Sequence, residues 1–158
     1  MVPNERLVNR GIMFVFQYPA TITRYSADEI LVSFRDLPGT NTSGPSLEEA
    51  RIQGADALGC AIAQRMADRE WIAAPSRPGR GEELIAVPFW IAGKLAVYQA
   101  VQEAGISNSE LAKRLGVTEA VIRRLLDPDH ETKDRKLSAA LAVLGKELVM
   151  AVVPRKVA

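Results

Sequence analysis

One cysteine and one histidine are present among 158 residues, so the two side chains most used for metal binding and nucleophilic chemistry are almost missing. Cys60 standing alone excludes an intrachain disulfide and favours a reducing, cytoplasmic setting. His130 stands alone too, with no Ser or Cys partner beside it in the pattern, and is read as a turn residue. No apolar run reaches the roughly 18 residues of a membrane-spanning helix, so no membrane partner is expected. The apolar stretch Gly11 to Phe16 is not followed by the small-residue cleavage site of a secretory leader. Residues Gln17 to Val87 hold neither a Gly-rich phosphate loop nor a cluster of metal ligands, so no cofactor is expected. A hydrophobic fraction of 47 % excludes wholesale disorder.

Net charge is close to balanced, but it is unevenly placed. Residues 1–88 hold 9 Lys/Arg against 11 Asp/Glu, and residues 89–158 hold 11 against 8. A basic C-terminal half suits a polyanion, and a mildly acidic N-terminal half suits a basic partner.

The most informative stretch is Ser107 to Leu126. Ser107 or Asn108 caps a first helix, since a small polar side chain accepts the orphan amides of a helix start. Leu111 and Leu115 form an apolar stripe, and Ala112 is small where two helices must cross. Gly116 ends the helix where a positive φ is needed. Val117 plugs the core, Thr118 caps a second helix, and Val121, Ile122 and Leu125 give that helix a buried face. This is the spacing of a helix-turn-helix. It leaves Thr118, Glu119, Ala120, Arg123 and Arg124 outward, a set suited to base edges and phosphates of a major groove, with Asn108 and Lys113 near the phosphates. A solvated helical hairpin without DNA is the competing reading.

Elsewhere the periods are plain. Tyr18 to Arg24 and Ile30 to Phe34 alternate at period two around a turn at Ser26-Ala27-Asp28, which is a β-hairpin. Pro19 is expected at a strand start or on an edge, because it donates nothing to a ladder. Asp36 to Gly39 breaks the second strand, and Thr40 to Ser43 is a short third one. Ser46 and Glu49 form a capping box that opens a helix with Leu47, Ala50, Gly54, Leu58, Ala61 and Ile62 on one face. Gly54 and Gly59 imply close packing of that helix on the sheet, and Cys60 is expected as a small buried group. Leu84 to Val87 is a last strand. Ile91, Leu95, Tyr98 and Val101 or Gln102 mark a helix, and Lys136 to Leu144 another, stopped by Gly145. Leu148 to Val153 is a terminal strand expected to pair across a dimer.

These residues carry a resemblance. The run QYPATITRY…ILVSFRDLPGTNTSGPSLEEAR, then APSRP, then RRLLDPDHETK…LSAALAVLGKELVMAV, resembles the HicB antitoxin family. The resemblance covers about Gln17 to Pro154. Its most specific parts are Phe34 to Gly39 with Gly44 and Leu47 to Ala50, then Leu126 to His130 with Leu144-Gly145-Lys146. It implies an α+β fold with a truncated RNase H-like N-terminal sheet and packed helix (17–87) that blocks HicA, a small basic ribonuclease toxin. It implies a C-terminal DNA-binding and dimerisation domain (88–158) that represses the operon. Homodimers or homotetramers are implied. Residues 1–16 are an extension beyond the family pattern. A toxin contact is placed near Asp36, Leu37, Thr40 and Thr42.

An RNase H-like nuclease needs several carboxylates converging on two metal ions. Here Asp28 lies in a turn and Asp36 at a strand end, while Glu48, Glu49 and Asp56 fall on a helix. No acid projects from the middle of the sheet, so the chain is read as non-enzymatic. The alternative function is a stand-alone regulator whose N-terminal half senses a ligand or dimerises.

Overall fold

The computed structural model describes residues 16–149. Nine elements follow in the order β1 (Gln17–Ser26), β2 (Glu29–Phe34), β3 (Asn41–Gly44), α1 (Leu47–Ala67), β4 (Glu82–Ala86), α2 (Phe89–Ala104), α3 (Asn108–Leu115), α4 (Glu119–Leu126) and α5 (Asp134–Val143). The chain divides into two compact units. The first runs up to Ile62 and includes Ile72–Pro88; the second joins Ala63–Trp71 to everything from Phe89 onward.

In the first unit, four antiparallel strands form one sheet in the order β3-β2-β1-β4. The β1–β2 hairpin pairs Ala20 with Phe34 and Arg24 with Ile30 around the expected turn. Alternation decides its two faces: Ile30, Val32 and Phe34 are buried while Leu31 between them is exposed. Helix α1 opens at Ser46, whose hydroxyl accepts the Glu49 N–H at 3.2 Å. Buried Ala50, Leu58 and Ile62 lie along its inner stripe. Gly54 provides the close approach: a Cβ there would stand 2.9 Å from Ile85 Cδ1 and 3.1 Å from Val32 Cγ1. Arg51 fixes α1 to β4 through a forked pair with Glu83, at 2.8 and 3.0 Å.

Three expectations need correction in this unit. Pro19 lies third in an interior strand, paired with Leu84 of β4. It is tolerated because the Val87 N–H donates to Phe16 O, which sets the even-numbered residues toward β4. Pro19 therefore faces the β2 side, where the ladder begins only at Ala20. Cys60 is exposed, because it falls on the outer face of α1. Leu47 is exposed as well, at the helix mouth.

The loop between α1 and β4 is pinned to the sheet. Tyr18 Oη donates to Ala73 O at 2.7 Å. The Ser76 N–H and hydroxyl donate to the two Asp36 oxygens at 2.7 and 2.9 Å. Arg35 donates to Glu82 at 2.7 Å and to Arg77 O at 2.6 Å. The Gly79 N–H, followed by Arg35, holds the Glu82 carboxyl below its ordinary value.

The second unit is helical. Ile91, Leu95, Val97 and Ala100 of α2 are buried, as are Leu111 of α3, Ile122 of α4 and Leu137 and Leu141 of α5. Tyr98 Oη and Gln102 Nε2 both donate to Glu70 O, at 2.8 and 3.0 Å. Leu148 and Val149 are not in a strand; the rest of the expected terminal strand, and residues 1–15 of the expected extension, lie outside the described residues. Among the described residues, no helix is long and apolar enough to cross a membrane.

Candidate functional site

Two short helices and their turn form the first candidate surface. Ser107 caps α3 by accepting the Glu110 N–H at 3.1 Å. Gly116 ends it with φ 66°, and the N–H groups of Gly116 and Val117 return to Lys113 O and Ala112 O. These are the bonds a left-handed C-cap supplies. Thr118 holds the cap position of α4 in extended conformation, but its hydroxyl makes no capping bond. Leu111, Ala112, Ile122 and Leu125 are buried, as the spacing requires. Val117 differs from expectation: it is 40 % exposed, because the cap turns its side chain outward over the turn.

The outward face of α4 carries Glu119, Arg123 and Arg124, all exposed, while Ala120 is half-buried. Lys113 is exposed on α3 and Asn108 is half-buried at its start. Glu119 is held across the turn, its Oε2 accepting the Ser109 hydroxyl at 2.5 Å. Arg114 is engaged by Glu110 at 3.0 Å. Lys113, Arg123 and Arg124 form no ion pair among the described residues. The arrangement thus presents unneutralised cations on a small rigid helical pair, which is the chemistry of an anionic partner.

Lys94 is a residue that periodicity missed. It lies on α2 and is 5 % exposed. Its ammonium donates to Asp127 O and His130 O in the loop between α4 and α5. Burial lowers its pKa, opposed by the charges of Asp127 and Asp129. A signal was available: Lys94 stands three residues after Ile91 and four before Tyr98, on the face read as apolar.

The second candidate surface is the β2–β3 corner. Its residues do not all face outward. Leu37 is 1 % exposed and Thr40 is 5 %, so both point into the first unit's core. The burial follows from a tight turn, in which the Thr40 N–H donates to Leu37 O and the Phe34 N–H to Thr40 O. Asp36 is half-buried and committed to Ser76. Thr42 is half-buried, and Pro38, Gly39 and Asn41 are exposed. Among the described residues, strand β3 is a sheet edge, with β2 on one side only. Among the described residues, no group of three or more His, Cys, Asp or Glu stands where it could hold a metal ion.

Comparison with known proteins gives a consistent family. A family model described as "HicB_like antitoxin of bacterial toxin-antitoxin system" matches residues 17–96. The chain is 34 % identical over 137 residues to "Antitoxin HicB" of Escherichia coli (strain K12), covering 87 % of this chain and 99 % of that protein. It is 37 % identical over 117 residues to "Antitoxin HicB 2" of Photorhabdus laumondii, covering 74 % and 83 %. "Antitoxin HicB 1" of the same organism is 29 % identical over 144 residues, covering 91 % and 92 %.

Proposed function

We propose a two-part function for this chain, which belongs to the HicB-like antitoxin family of bacterial toxin–antitoxin systems: it neutralises a HicA-type ribonuclease toxin and represses its own operon. Family membership is the observation that carries the reading. The first unit, a truncated RNase H-like fold on this reading, covers the surface through which the toxin would grip mRNA, so inhibition is steric and the chain itself is no enzyme. The acidic excess of residues 1–88 favours encounter with a basic partner, where charge acts more on association rate than on final affinity. Since Leu37 and Thr40 are buried, they support the corner from within, and contact falls to Thr42, Asn41 and the open edge of β3.

The second unit is the DNA-binding module. In it α3, the turn and α4 act as a helix-turn-helix that docks Thr118 to Arg124 into a major groove. Lys113, with Asn108 at the helix start, lies toward the phosphates. Two copies, as a homodimer or within a homotetramer, read half-sites about one helical turn apart on cytoplasmic operator DNA.

The test is a pull-down of the tagged chain from its source, followed by an RNA-cleavage assay. A stoichiometric small basic protein whose ribonuclease activity disappears on adding the chain is the expected result. Recovery of the chain without such a partner, while it still binds its own upstream DNA, would leave a plain regulator in its place.

A further inference from the structure

Beside α4 lies a cleft of which the reading above uses Arg124 alone. Val121, Arg124, Leu125, His130, Thr132 and Lys136 line it. Val121 and Leu125 are its apolar members, while Arg124 and Lys136 bring two cations from different helices. Both are exposed, and neither forms an ion pair among the described residues. The loop's own acids form no ion pair with them among the described residues. Asp127, Asp129 and Glu131 are absent from the lining, and an Asp127 oxygen accepts the Asp129 N–H at 3.0 Å.

The wall of this cleft is built in advance. Buried Lys94 donates to Asp127 O and His130 O. The His130 N–H returns to Asp127 O at 3.2 Å, and the Thr132 hydroxyl donates to His130 O at 3.3 Å. A loop tied at these points loses little further freedom when a ligand arrives. Two unpaired cations and an imidazole around a small cleft match one tetrahedral oxyanion.

Resting on the reading of α4 as a DNA-contacting helix, we propose that this cleft seats one backbone phosphate of the bound duplex, held by Arg124, His130 and Lys136, with Thr132 fixing the wall. The contact extends the interface from α4 onto α5. It is independent of base sequence, so it fixes the depth and tilt at which α4 enters the groove.

The test uses the full chain and fluorescence anisotropy over a range of salt, with a duplex from its own upstream region and an unrelated duplex. Lys136→Gln should weaken both duplexes by a similar factor, about tenfold for removal of one charged hydrogen bond, and reduce the log–log salt slope by about 1. Lys136→Glu should weaken both further. Lys136 is exposed, so thermal unfolding of either variant should match the parent chain. Unchanged affinity and slope in Lys136→Glu, with the parent binding DNA, overturns the phosphate seat alone. Absence of any salt-dependent DNA binding by the parent overturns the DNA reading beneath it. Stabilisation by inorganic phosphate that Lys136→Gln abolishes, with DNA binding untouched, overturns the duplex as the source and leaves a free-phosphate site.

Discussion

Arg123 and Arg124 hold adjacent positions on α4 without an acidic partner among the described residues, whereas Arg114 on α3 is engaged by Glu110. That difference separates residues available to a ligand from residues that stabilise the fold. On the proposed reading, replacing Arg123 and Arg124 by alanine should weaken operator binding by about 1–3 kcal/mol for each base that the pair reads, with thermal unfolding unchanged. Competition with an unrelated duplex separates the two roles, since a base-reading side chain affects only the cognate site. Lys94 behaves in the opposite way. Lys94→Met removes the donor from two carbonyls and should cost about 1–3 kcal/mol in chemical denaturation. A lowered pKa means that the folded chain binds fewer protons than the unfolded chain. The parent should therefore gain stability as pH rises from the lowered value toward the ordinary lysine value. Lys94→Met should lack that gain. Sequence pattern revealed the arginines because exposed positions follow from helical period. It missed Lys94 because a lysine in an apolar stripe is indistinguishable from one that reaches out to solvent.

Among the elements, the β1–β2 hairpin, the capping box at Ser46 and the three helix stops at Gly105, Gly116 and Gly145 are all legible in the sequence, since each depends on local chemistry. All three glycines take positive φ. What local chemistry does not carry is partner choice. That β4 adds beside β1 is a long-range matter, and with it goes the placement of Pro19. The inward turn of Leu37 and Thr40 is hidden as well, because period-two alternation does not run through the tight turn that buries them. Gly44 shows how closely β3 meets α1. Named in the sequence as part of the family motif, it ends β3 against the first turn of α1, where a Cβ would meet Ala50 N at 2.5 Å and Ala50 Cα at 2.8 Å. Backbone cannot give way as a flexible side chain can. Gly44→Ala should cost about 1–3 kcal/mol by overpacking. Gly39→Ala is a control of another kind: its Cβ would meet nothing within 4 Å, and its cost arises from φ +83° alone. Denaturant melts of the two variants separate the effects.

For the whole molecule, the two compact units divide the proposed work as the charge divides, with an acidic excess before residue 89 and a basic one after it. The family match over residues 17–96 reaches from the first unit into α2 of the second. The similarity to the Escherichia coli and Photorhabdus antitoxins extends further, over 137 and 144 residues, and the resemblance carried by the motifs has the same reach. On the proposed reading, the free chain should sediment as an even-numbered assembly at micromolar concentration. Its affinity for a palindromic operator should exceed that for one half-site by well over tenfold, because the second half-site is then bound intramolecularly. A monomer binding both duplexes equally would remove the paired-copy mechanism.

The outward side of α4 has a consequence for descent. Its inward residues Ile122 and Leu125 are committed to the core, while on its outward side Glu119 is tied to α3 by the Ser109 hydroxyl and the two arginines stand clear of any ion pair among the described residues. Substitution at Arg123 or Arg124 is thus nearly free of folding penalty, whereas an inserted residue ahead of them would swing both by about 100° around the helix axis. On the proposed reading, duplicated copies of such a gene can drift apart in operator preference by point changes alone. Each copy would keep its fold while losing the ability to silence its sister, so several systems could share one genome without cross-talk.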